Sequence, residues 1–408
     1  MANHNPTFIK DFMERNKSFC PAAWHEIYAD NSGRYRLCCH AMPSKEFNRL
    51  SFTEEKDLPF DYFLSDAMEE VRQKMIEGEA IPECKTCYQI ENNNDAGISY
   101  RSKMIDKHGL NTELNKIVLK VRFFGNYCNL SCYMCYPSNS SSRAKELKEI
   151  FPESNTEDYN NFIVKELKNN NTINIKYSDW DSYFNHILEN IDSITYLNMM
   201  GGETLQLPKY WEMLDRIPKD KAKNIRVSAQ TNLTQLRYKN YSVFDTMDKF
   251  KRLHLGISVD HYGDKLSFMR YPIDPQVFEN NLQEIIDSGV RYSLDFTISM
   301  LNIDELDEIR KYYRNKFSID DSSDSSNGRL HLENVVRGPS YLSIRNLPQR
   351  MKDKYLEKYH DLPYVVAELR QEPNETIDKF IAYCDKLWLH RGGTDWKILW
   401  KDFLDDLR

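Results

Sequence analysis

Three cysteines, Cys128, Cys132 and Cys135, stand within eight residues and are the side chains whose spacing is most suggestive of chemistry. The β-branched and aromatic run at 117–124 precedes them and predicts a strand, which a Gly-Asn pair ends. The cysteines are therefore expected on a loop that leaves the end of a strand. Three thiolates on such a loop can bind three irons of a 4Fe–4S cluster and leave the fourth iron without a protein ligand. A small molecule can bind at an iron with an open position.

Two other interpretations of these cysteines stay open on spacing alone. The same offsets fall on one face of a helix, where buried cysteine is an ordinary small apolar residue. Three cysteines can also form part of a zinc site.

A second group of cysteines lies nearer the amino terminus. Cys20 and Cys38 flank a predicted hairpin whose turn ends at Gly33, so both are expected at its open end. Cys84 and Cys87 follow as a C-x2-C knuckle. Four cysteines from a hairpin and a knuckle can bind a structural zinc ion or a closed 4Fe–4S cluster, and their spacing does not separate the two.

Length and composition set the broad class. The chain has 408 residues, which is enough for two or three domains. Hydrophobic residues make up 40% of it, the net charge is −7, and there are nine cysteines. No apolar run approaches the roughly 18–20 residues of a membrane-spanning helix, and the amino terminus lacks a signal pattern. We therefore expect a cytoplasmic protein without a membrane partner, in which clustered cysteines indicate metal sites. The acidic balance argues weakly against a general affinity for nucleic acid.

From residue 117 onward, strand-like and helix-like patterns alternate. This alternation is typical of a parallel sheet covered by helices, so we predict an α/β fold in which six strands form a partial (β/α)6 barrel. Helical patterns include 180–191 and a segment around 278–286 that Gly289 ends. Ligands of such sheets bind beyond the carboxyl ends of the strands. The predicted strands are 117–124, 194–200, 224–230, 252–259, 291–299 and 330–336.

The chain resembles the radical S-adenosylmethionine (SAM) enzymes at two places. C-x3-C-x2-C after a first strand is similar to their signature, and the run Met-Met-Gly-Gly-Glu-Thr at 199–204 resembles their Gly-Gly-Glu motif. The resemblance covers residues 117–340 and implies their partial TIM-like barrel. It also implies that the three cysteines hold a 4Fe–4S cluster whose open iron binds SAM. Met134 departs from the usual aromatic residue, although methionine can also pack on the adenine.

Further SAM contacts are implied by the same resemblance. Gly201 and Gly202 let the backbone approach the SAM amino group, because glycine has no Cβ, although two glycines also make a tight turn. Glu203 is expected to orient that loop. The remaining candidates at strand ends are Thr231 and Asn232, then Ser258 and Asp260 for the ribose and methionine parts, and Arg270 for the SAM carboxylate. Ser-x-Asp at a strand end is also a common helix cap.

The amino-terminal cysteines resemble a second motif. The spacing of these residues is similar to the first half of the SPASM motif of radical SAM maturases: twelve residues separate Cys20 from Gly33, and four separate Gly33 from Cys38. No cysteine stands between Cys87 and Cys128, so the unit resembles the shortened twitch form, with one auxiliary 4Fe–4S cluster on Cys20, Cys38, Cys84 and Cys87. Its position before the core departs from the family. Cys39 is the alternative to Cys38, and the spacing from Gly33 favours Cys38.

Three domains are predicted: an auxiliary-cluster domain at 1–105, the barrel at 106–345 and a helical extension at 346–408. The polar segment 154–179 is interpreted as a surface insertion and 318–328 as a flexible loop. Within the amino-terminal domain, 62–76 predicts a helix. In the extension Cys384 shares an apolar helix face and is expected in the core. Thr297, Ser299 and Arg337, at the last two strand ends, are candidates for the cavity wall.

The resemblance implies reductive cleavage of SAM to a 5′-deoxyadenosyl radical that abstracts a hydrogen atom from a substrate. The electron would come from a donor such as flavodoxin or ferredoxin. SPASM and twitch relatives often modify peptides, so a peptide or protein substrate is expected first. The alternatives are oxidation or rearrangement of a small molecule or carbohydrate and, from another class, a non-catalytic binding protein stabilised by zinc.

Overall fold

The computed structural model describes residues 6–30, 33–42, 58–92, 99–122, 125–151, 179–319 and 328–407. Most of the predicted insertion at 154–179 and of the predicted loop at 318–328 lies outside the described residues. Within the described part, no helix is both long and apolar enough to cross a membrane.

Eight strands form the main sheet. They are β1 (Glu26–Ala29), β2 (Tyr35–Arg36), β3 (Ile117–Val121), β4 (Ile194–Met199), β5 (Arg226–Thr231), β6 (Arg252–Ser258), β7 (Arg291–Ile298) and β8 (Gly328–Val335), and a separate two-stranded ribbon pairs Arg237–Tyr238 with Tyr241–Ser242. Strands β3 to β8 are all parallel, and each lies beside the next in chain order. This order is that of a partial (β/α)6 barrel, so the predicted fold class is confirmed. All six predicted strands of the array are present and start within two residues of the predicted positions.

The amino-terminal hairpin extends this sheet. β1 and β2 pair antiparallel as predicted, with Tyr28 opposite Arg36. β1 also pairs in parallel with β3 and places Glu26 beside Val118. The hairpin therefore covers one outer strand of the parallel array, whose backbone groups would otherwise form an open sheet edge.

Local capping signals set the ends of several helices. The predicted helix at 62–76 is split in two, because the Ser65 side chain accepts a hydrogen bond from the Met68 N–H at 3.4 Å and starts a new helix. Gly78 and Gly289 each end a helix in the left-handed conformation, at φ 81° and 74°. The helices are α1 (Pro6–Arg15), α2 (Ala22–His25), α3 (Pro59–Phe63), α4 (Asp66–Glu77), α5 (Lys85–Asn92), α6 (Tyr100–His108), α7 (Ser141–Ile150), α8 (Trp180–Glu189), α9 (Pro208–Arg216), α10 (Lys219–Ala222), α11 (Val243–Lys249), α12 (Gly263–Met269), α13 (Pro275–Ser288), α14 (Leu306–Phe317), α15 (Gln349–Lys358), α16 (Pro363–Leu369), α17 (Ile377–Arg391), α18 (Trp396–Leu399) and α19 (Lys401–Leu407).

The carboxyl-terminal helices pack against loops at the carboxyl ends of the strands. The Trp400 indole N–H donates to the Leu301 carbonyl, just past β7, at 2.6 Å. The Tyr383 hydroxyl of α17 donates to the Tyr133 carbonyl, within the cysteine loop, at 2.5 Å. Cys384 is fully buried, as predicted.

A polar chain links four neighbouring strands. Gln230 Nε2 donates to Ser258 Oγ at 2.9 Å and to Asp295 Oδ2 at 3.0 Å. The other Asp295 oxygen lies 3.4 Å from His331 Nδ1. Gly256 gives the chain room, since a Cβ there would lie 2.2 Å from Gln230 Oε1. The side chains that end β5 and β6 are therefore oriented from the next two strands.

We expect the pair of His331 and Asp295 to stabilise the fold at mildly acidic pH. The hydrogen bond with Asp295 raises the pKa of His331, burial opposes the shift, and nearby Glu333 and Arg329 act in opposite directions. Because the pKa is higher in the folded state, the contribution is present below the ordinary histidine pKa of about 6.5 and is lost as the pH rises through the folded-state pKa. His331→Gln should therefore lower the Tm more at about pH 6 than at about pH 9.

Thermal unfolding at the two pH values measures this difference. His360→Gln is the control, because His360 is exposed and its ring bonds only the Glu357 carbonyl. An equal loss of Tm at both pH values in His331→Gln would contradict the assignment.

Candidate functional site

The three cysteines of the C-x3-C-x2-C run line one cavity of about 520 Å³. They lie on the loop that leaves the carboxyl end of β3, as predicted from the Gly-Asn pair after the strand. The volume is within the roughly 300–1,000 Å³ of small-molecule sites. Burial raises the pKa of all three thiols, that of Cys135 to about 12, so binding of a metal cluster would release their protons.

Eight of the other predicted cofactor contacts line the same cavity. They come from the cysteine loop and from the ends of β4, β5 and β6 with the helix that follows: Met134, Gly201, Gly202, Glu203, Thr231, Asn232, Ser258 and Arg270. Thr297 and Arg337, the candidates beyond β7 and β8, also line it. Residues spread along half of the sequence thus meet at the carboxyl edge of the parallel array.

Asp260 and Ser299 lie behind the wall of this cavity. Asp260 is fully buried; it pairs with Arg270 Nε at 2.8 Å and accepts the Thr297 N–H at 3.0 Å. Ser299 bonds to the Tyr133 hydroxyl. Asp260 therefore orients Arg270 from behind the cavity wall, and the contact with SAM expected for Asp260 stays a prediction.

Arg270 links the Asp260 carboxylate to the cysteine loop. Its Nη1 lies 3.7 Å from the Cys132 sulfur, while its Nε makes the ion pair. The Asn232 amide lies 3.9 Å from the Cys128 sulfur, and the Leu130 N–H donates to that sulfur at 3.5 Å. Donors and positive charge of this kind stabilise thiolate sulfur, so the residues present fit a cluster held by three thiolates.

Gly201 and Gly202 are required by a close approach of two backbones. Gly202 has φ +47°, and a Cβ there would lie 2.0 Å from the Tyr127 carbonyl oxygen. A Cβ on Gly201, at φ +130°, would lie 2.8 Å from the Arg122 carbonyl oxygen. The Gly-Gly-Glu loop is therefore packed directly onto the chain that leads into the cysteine loop, and both glycines still face the cavity.

Glu203 holds the neighbouring strand end in place. Its carboxylate accepts hydrogen bonds from the Thr231 hydroxyl at 2.7 Å, the Asn232 N–H at 2.6 Å and the Leu205 N–H at 3.1 Å. Burial raises the pKa of Glu203 to about 7, and these donors oppose the shift. This geometry agrees with the expected role of Glu203 in orienting its loop.

Buried side chains of α7 and α17 hold the middle of the cysteine loop. The Ser131 carbonyl accepts from Arg391 Nη2 at 2.5 Å, and the Tyr133 carbonyl accepts from Arg143 Nη2 at 2.9 Å and from the Tyr383 hydroxyl at 2.5 Å. On the other side, the N–H groups of Ser131 and Tyr133 donate to carbonyls of the segment around Arg270. The backbone on both sides of Cys132 is therefore fully bonded.

One carboxylate joins the two arginines of this clamp. Glu146 lies 2.6 Å from Arg391 Nε and also pairs with Arg143, and all three side chains are at most 5% exposed. The two arginines and Arg270 all lie near enough to Cys132 to oppose the rise of its pKa caused by burial. The carboxyl-terminal extension thus supplies both support and positive charge to the loop.

The four amino-terminal cysteines are brought into one neighbourhood. Burial is the main cause of the raised pKa of Cys20, and the nearby thiols of Cys84 and Cys87 add to it. Burial and Glu26 raise the pKa of Cys38, with a further contribution from Cys20. Within the described residues, no three His, Cys, Asp or Glu side chains are arranged around one point as the ligands of a single metal ion would be. In a 4Fe–4S cluster each thiolate binds a different iron, so its ligands need not converge on one point.

Backbone donors face these sulfurs as well. The Ala22 N–H faces the Cys20 sulfur, and the N–H groups of Arg101 and Tyr100 face the Cys87 sulfur. Such donors are common around thiolate-bound clusters.

Several residues of the cavity wall were not predicted as site residues. They are Arg122, Leu130, Tyr136, Asn139, Met200, Gln230, Val335, Val336 and Gly338. Most flank a predicted strand end or motif, so the rule that ligands bind at carboxyl ends of parallel strands was the signal that could have identified them.

Residues 123–313 match the family model of the radical SAM superfamily. A comparison with curated proteins gives no match.

Among solved structures, the chain is similar to anSMEcpe with bound AdoMet, at 16% identity and a TM-score of 0.38 over 60% of each chain. It is also similar to Streptococcus suis SuiB bound to S-adenosylmethionine, at 15% identity and a TM-score of 0.36 over 73% of this chain and 53% of that one. For SuiB bound to the precursor peptide SuiA, the identity is 13% and the TM-score is 0.35, over 77% of this chain and 61% of that one. The chain thus spans 53–61% of the length of these structures, and likeness at this level assigns no substrate.

We expect Arg391→Gln to destabilise the cysteine loop. Removing one partner of a buried ion pair costs roughly 3–5 kcal/mol, and the Ser131 carbonyl would lose its donor. The variant should show a lower Tm and retain less iron after anaerobic reconstitution. Arg391→Lys keeps the charge but cannot make the same set of hydrogen bonds, so its losses of Tm and of iron should be intermediate.

His390→Gln is the matched control for the clamp. His390 precedes Arg391, and its ring lies 3.4 Å from the half-exposed Glu149 at the surface. Unchanged iron content and Tm in Arg391→Gln would show that the clamp does not support the loop.

Proposed function

We propose that this chain, whose residues 123–313 match the family model of the radical SAM superfamily, is a radical SAM enzyme that modifies a peptide or protein. The observation that carries the proposal is the single cavity shared by the three cysteines and the Gly-Gly-Glu loop. Two motifs that are 66 positions apart, counted from Cys135 to Gly201, face each other across a space of small-molecule size.

In this proposal Cys128, Cys132 and Cys135 hold a 4Fe–4S cluster. When bound, the reduced cluster supplies the electron that cleaves SAM into methionine and a 5′-deoxyadenosyl radical, which removes a hydrogen atom from the substrate. The chain contributes binding, orientation and exclusion of water. The half-buried cavity wall limits access of solvent to the reacting groups.

The other predicted SAM contacts have roles that suit their positions in the cavity. The backbone at Gly201 and Gly202 is open to the SAM amino group, and Met134 can pack on the adenine. The polar groups of Thr231, Asn232 and Ser258 provide hydrogen bonds at the ends of β5 and β6. Arg270 is held against Cys132 by Asp260 and opposes the thiolate charge.

We further propose that Cys20, Cys38, Cys84 and Cys87 bind an auxiliary 4Fe–4S cluster. The thiols of Cys84 and Cys87 act on the pKa of Cys20, and the Cys20 thiol acts on that of Cys38, which supports this set. The charged neighbours that act on the pKa of Cys39 are Glu26, Lys120 and Arg122, which favours Cys38 as the ligand. Four protein thiolates would close the cluster, which favours electron transfer over substrate binding. Structural zinc is the alternative.

The substrate class rests on the resemblance to SPASM and twitch enzymes, which often modify peptides. A small molecule or carbohydrate is the alternative substrate, and flavodoxin or ferredoxin is the proposed class of electron donor. The alternative of another class, a binding protein stabilised by zinc, predicts zinc without sulfide.

The proposal is tested by anaerobic reconstitution with iron and sulfide, followed by dithionite and SAM. About eight irons per chain, as two four-iron clusters require, and formation of 5′-deoxyadenosine would support two clusters and reductive cleavage. A protein that binds only zinc and forms no 5′-deoxyadenosine would refute both the iron–sulfur clusters and the cleavage of SAM.

Single substitutions should separate the two cysteine groups. Cys128→Ala should abolish 5′-deoxyadenosine formation, because SAM cleavage depends on this cluster. Cys84→Ala should lower iron content and leave part of the cleavage activity. Cys384→Ala is the control for removal of a buried thiol that belongs to neither group. Cleavage that survives Cys128→Ala would overturn the site assignment.

A further inference from the structure

Two arginines stand at opposite sides of the parallel array and line the same cavity. Arg122 directly follows β3, and Arg337 follows β8. β3 and β8 are the outer strands of the array, so these residues mark the side where the partial barrel is not closed by its own strands. Any group that enters the cavity from this side meets both guanidinium groups.

The charge of Arg122 is uncompensated among the described residues. No carboxylate oxygen there lies within ion-pair distance of its guanidinium, and its Nε is buried without a hydrogen-bond partner. The single side-chain contact of its Nη2 is the Met200 sulfur at 3.8 Å, which is a weak acceptor. Because Arg122 lines the cavity, an anionic oxygen there would give its guanidinium a strong acceptor and a counter-charge.

Arg337 is only partly compensated. Its Nε lies 3.4 Å from Glu368, whose carboxylate already accepts from Arg345 at 2.7 Å and from the Ser343 hydroxyl at 2.6 Å. One carboxylate thus faces two guanidinium groups, and the Arg337 side chain is 56% exposed while Glu368 is 2% exposed. Arg337 therefore keeps donors and positive charge for a ligand.

The other charged residues of the cavity wall are satisfied within the protein. Arg270 is paired with Asp260, and Glu203 accepts three hydrogen bonds. Two lysines near the same open side are paired as well, Lys120 with Glu26 and Lys103 with Glu333. The unbalanced charge of this side is therefore positive and resides on Arg122 and Arg337.

We propose that Arg122 and Arg337 bind a carboxylate group of the substrate. A guanidinium presents paired N–H donors that match the two oxygens of a carboxylate. The carboxylate is an acidic side chain or the carboxyl terminus of a peptide, or belongs to a small organic acid. This inference rests on the proposed function, since it assigns the substrate side of the same cavity.

Binding of defined probes to the reconstituted holoenzyme with saturating SAM, and without reductant, tests the proposal. The carboxylate probes are glutarate, Ac-Ala-Glu-Ala-amide and Ac-Ala-Gln-Ala with a free carboxyl terminus; the neutral reference is Ac-Ala-Gln-Ala-amide. The wild-type protein should bind at least one carboxylate probe more tightly than the reference, and the probe preferred identifies the source of the carboxylate. Added salt should reduce the preference.

The preference for the carboxylate probe over the amide reference should fall about tenfold or more in Arg122→Gln and in Arg337→Gln, since each variant loses a charge-assisted hydrogen bond. Arg252→Gln is the matched control: Arg252 is exposed at the start of β6, at the end of the sheet opposite the cavity. It should keep the wild-type preference.

Two results would overturn the proposal. Equal binding of carboxylate and amide probes by the wild-type protein would remove the anionic site. A loss of SAM affinity in Arg122→Gln as large as the loss of probe affinity would assign Arg122 to SAM instead. Because the binding assay needs no turnover, failure of the proposed function appears separately, as an absence of 5′-deoxyadenosine in the wild-type protein with dithionite.

Discussion

The ion pairs of Glu146 with Arg391 and Arg143 are the interaction on which the site depends most. A loop of three cysteines has no regular secondary structure of its own, so its buried carbonyl groups need donors from elsewhere. Arg391, Arg143 and Tyr383 supply them to Ser131 and Tyr133. Glu146 makes this possible, because two buried guanidinium groups without a counter-charge would repel each other and lose their hydration. The last long helix of the chain is thus bonded to the first loop of the barrel, and the position of Cys132 depends on both.

A second constraint is the open side of the parallel array. Six parallel strands do not close a barrel, and their two outer strands leave backbone groups that need cover. The amino-terminal unit covers one of them, because β1 pairs with β3, and it reaches the other only through Lys103 of α6, which lies 2.8 Å from Glu333 on β8. The ion pair is half-exposed and contributes little to stability, roughly 0–1 kcal/mol. The strand pairing therefore fixes this unit, and it brings the end of the hairpin, with Cys39, next to Lys120 and Arg122.

The sequence was informative where a pattern repeats or a spacing is short. The alternation of strand-like and helix-like patterns located all six strands of the array. The motifs on two strand ends then predicted which residues share the cavity. Contacts between distant segments could not be predicted. Arg391 reaches Ser131 across 260 positions of sequence, and a single arginine at a helix end carries no periodic signal. Asp260 was expected at the ligand, but its ion pair with Arg270 places it one layer behind.

The distribution of charge around the cavity follows from these contacts. Arg143, Arg270 and Arg391 surround Cys132, and two carboxylates, Glu146 and Asp260, pair with them. One positive charge is left over beside the thiols, where it opposes the cost of burying thiolates. On the open side the lysines are paired and Arg122 is not. A cavity that keeps positive charge both at its cysteines and at its entrance favours anionic groups at both places, because buried charges are screened little by solvent. The two regions differ in charge balance, since Arg270 is paired with Asp260, whereas Arg122 has no carboxylate partner among the described residues.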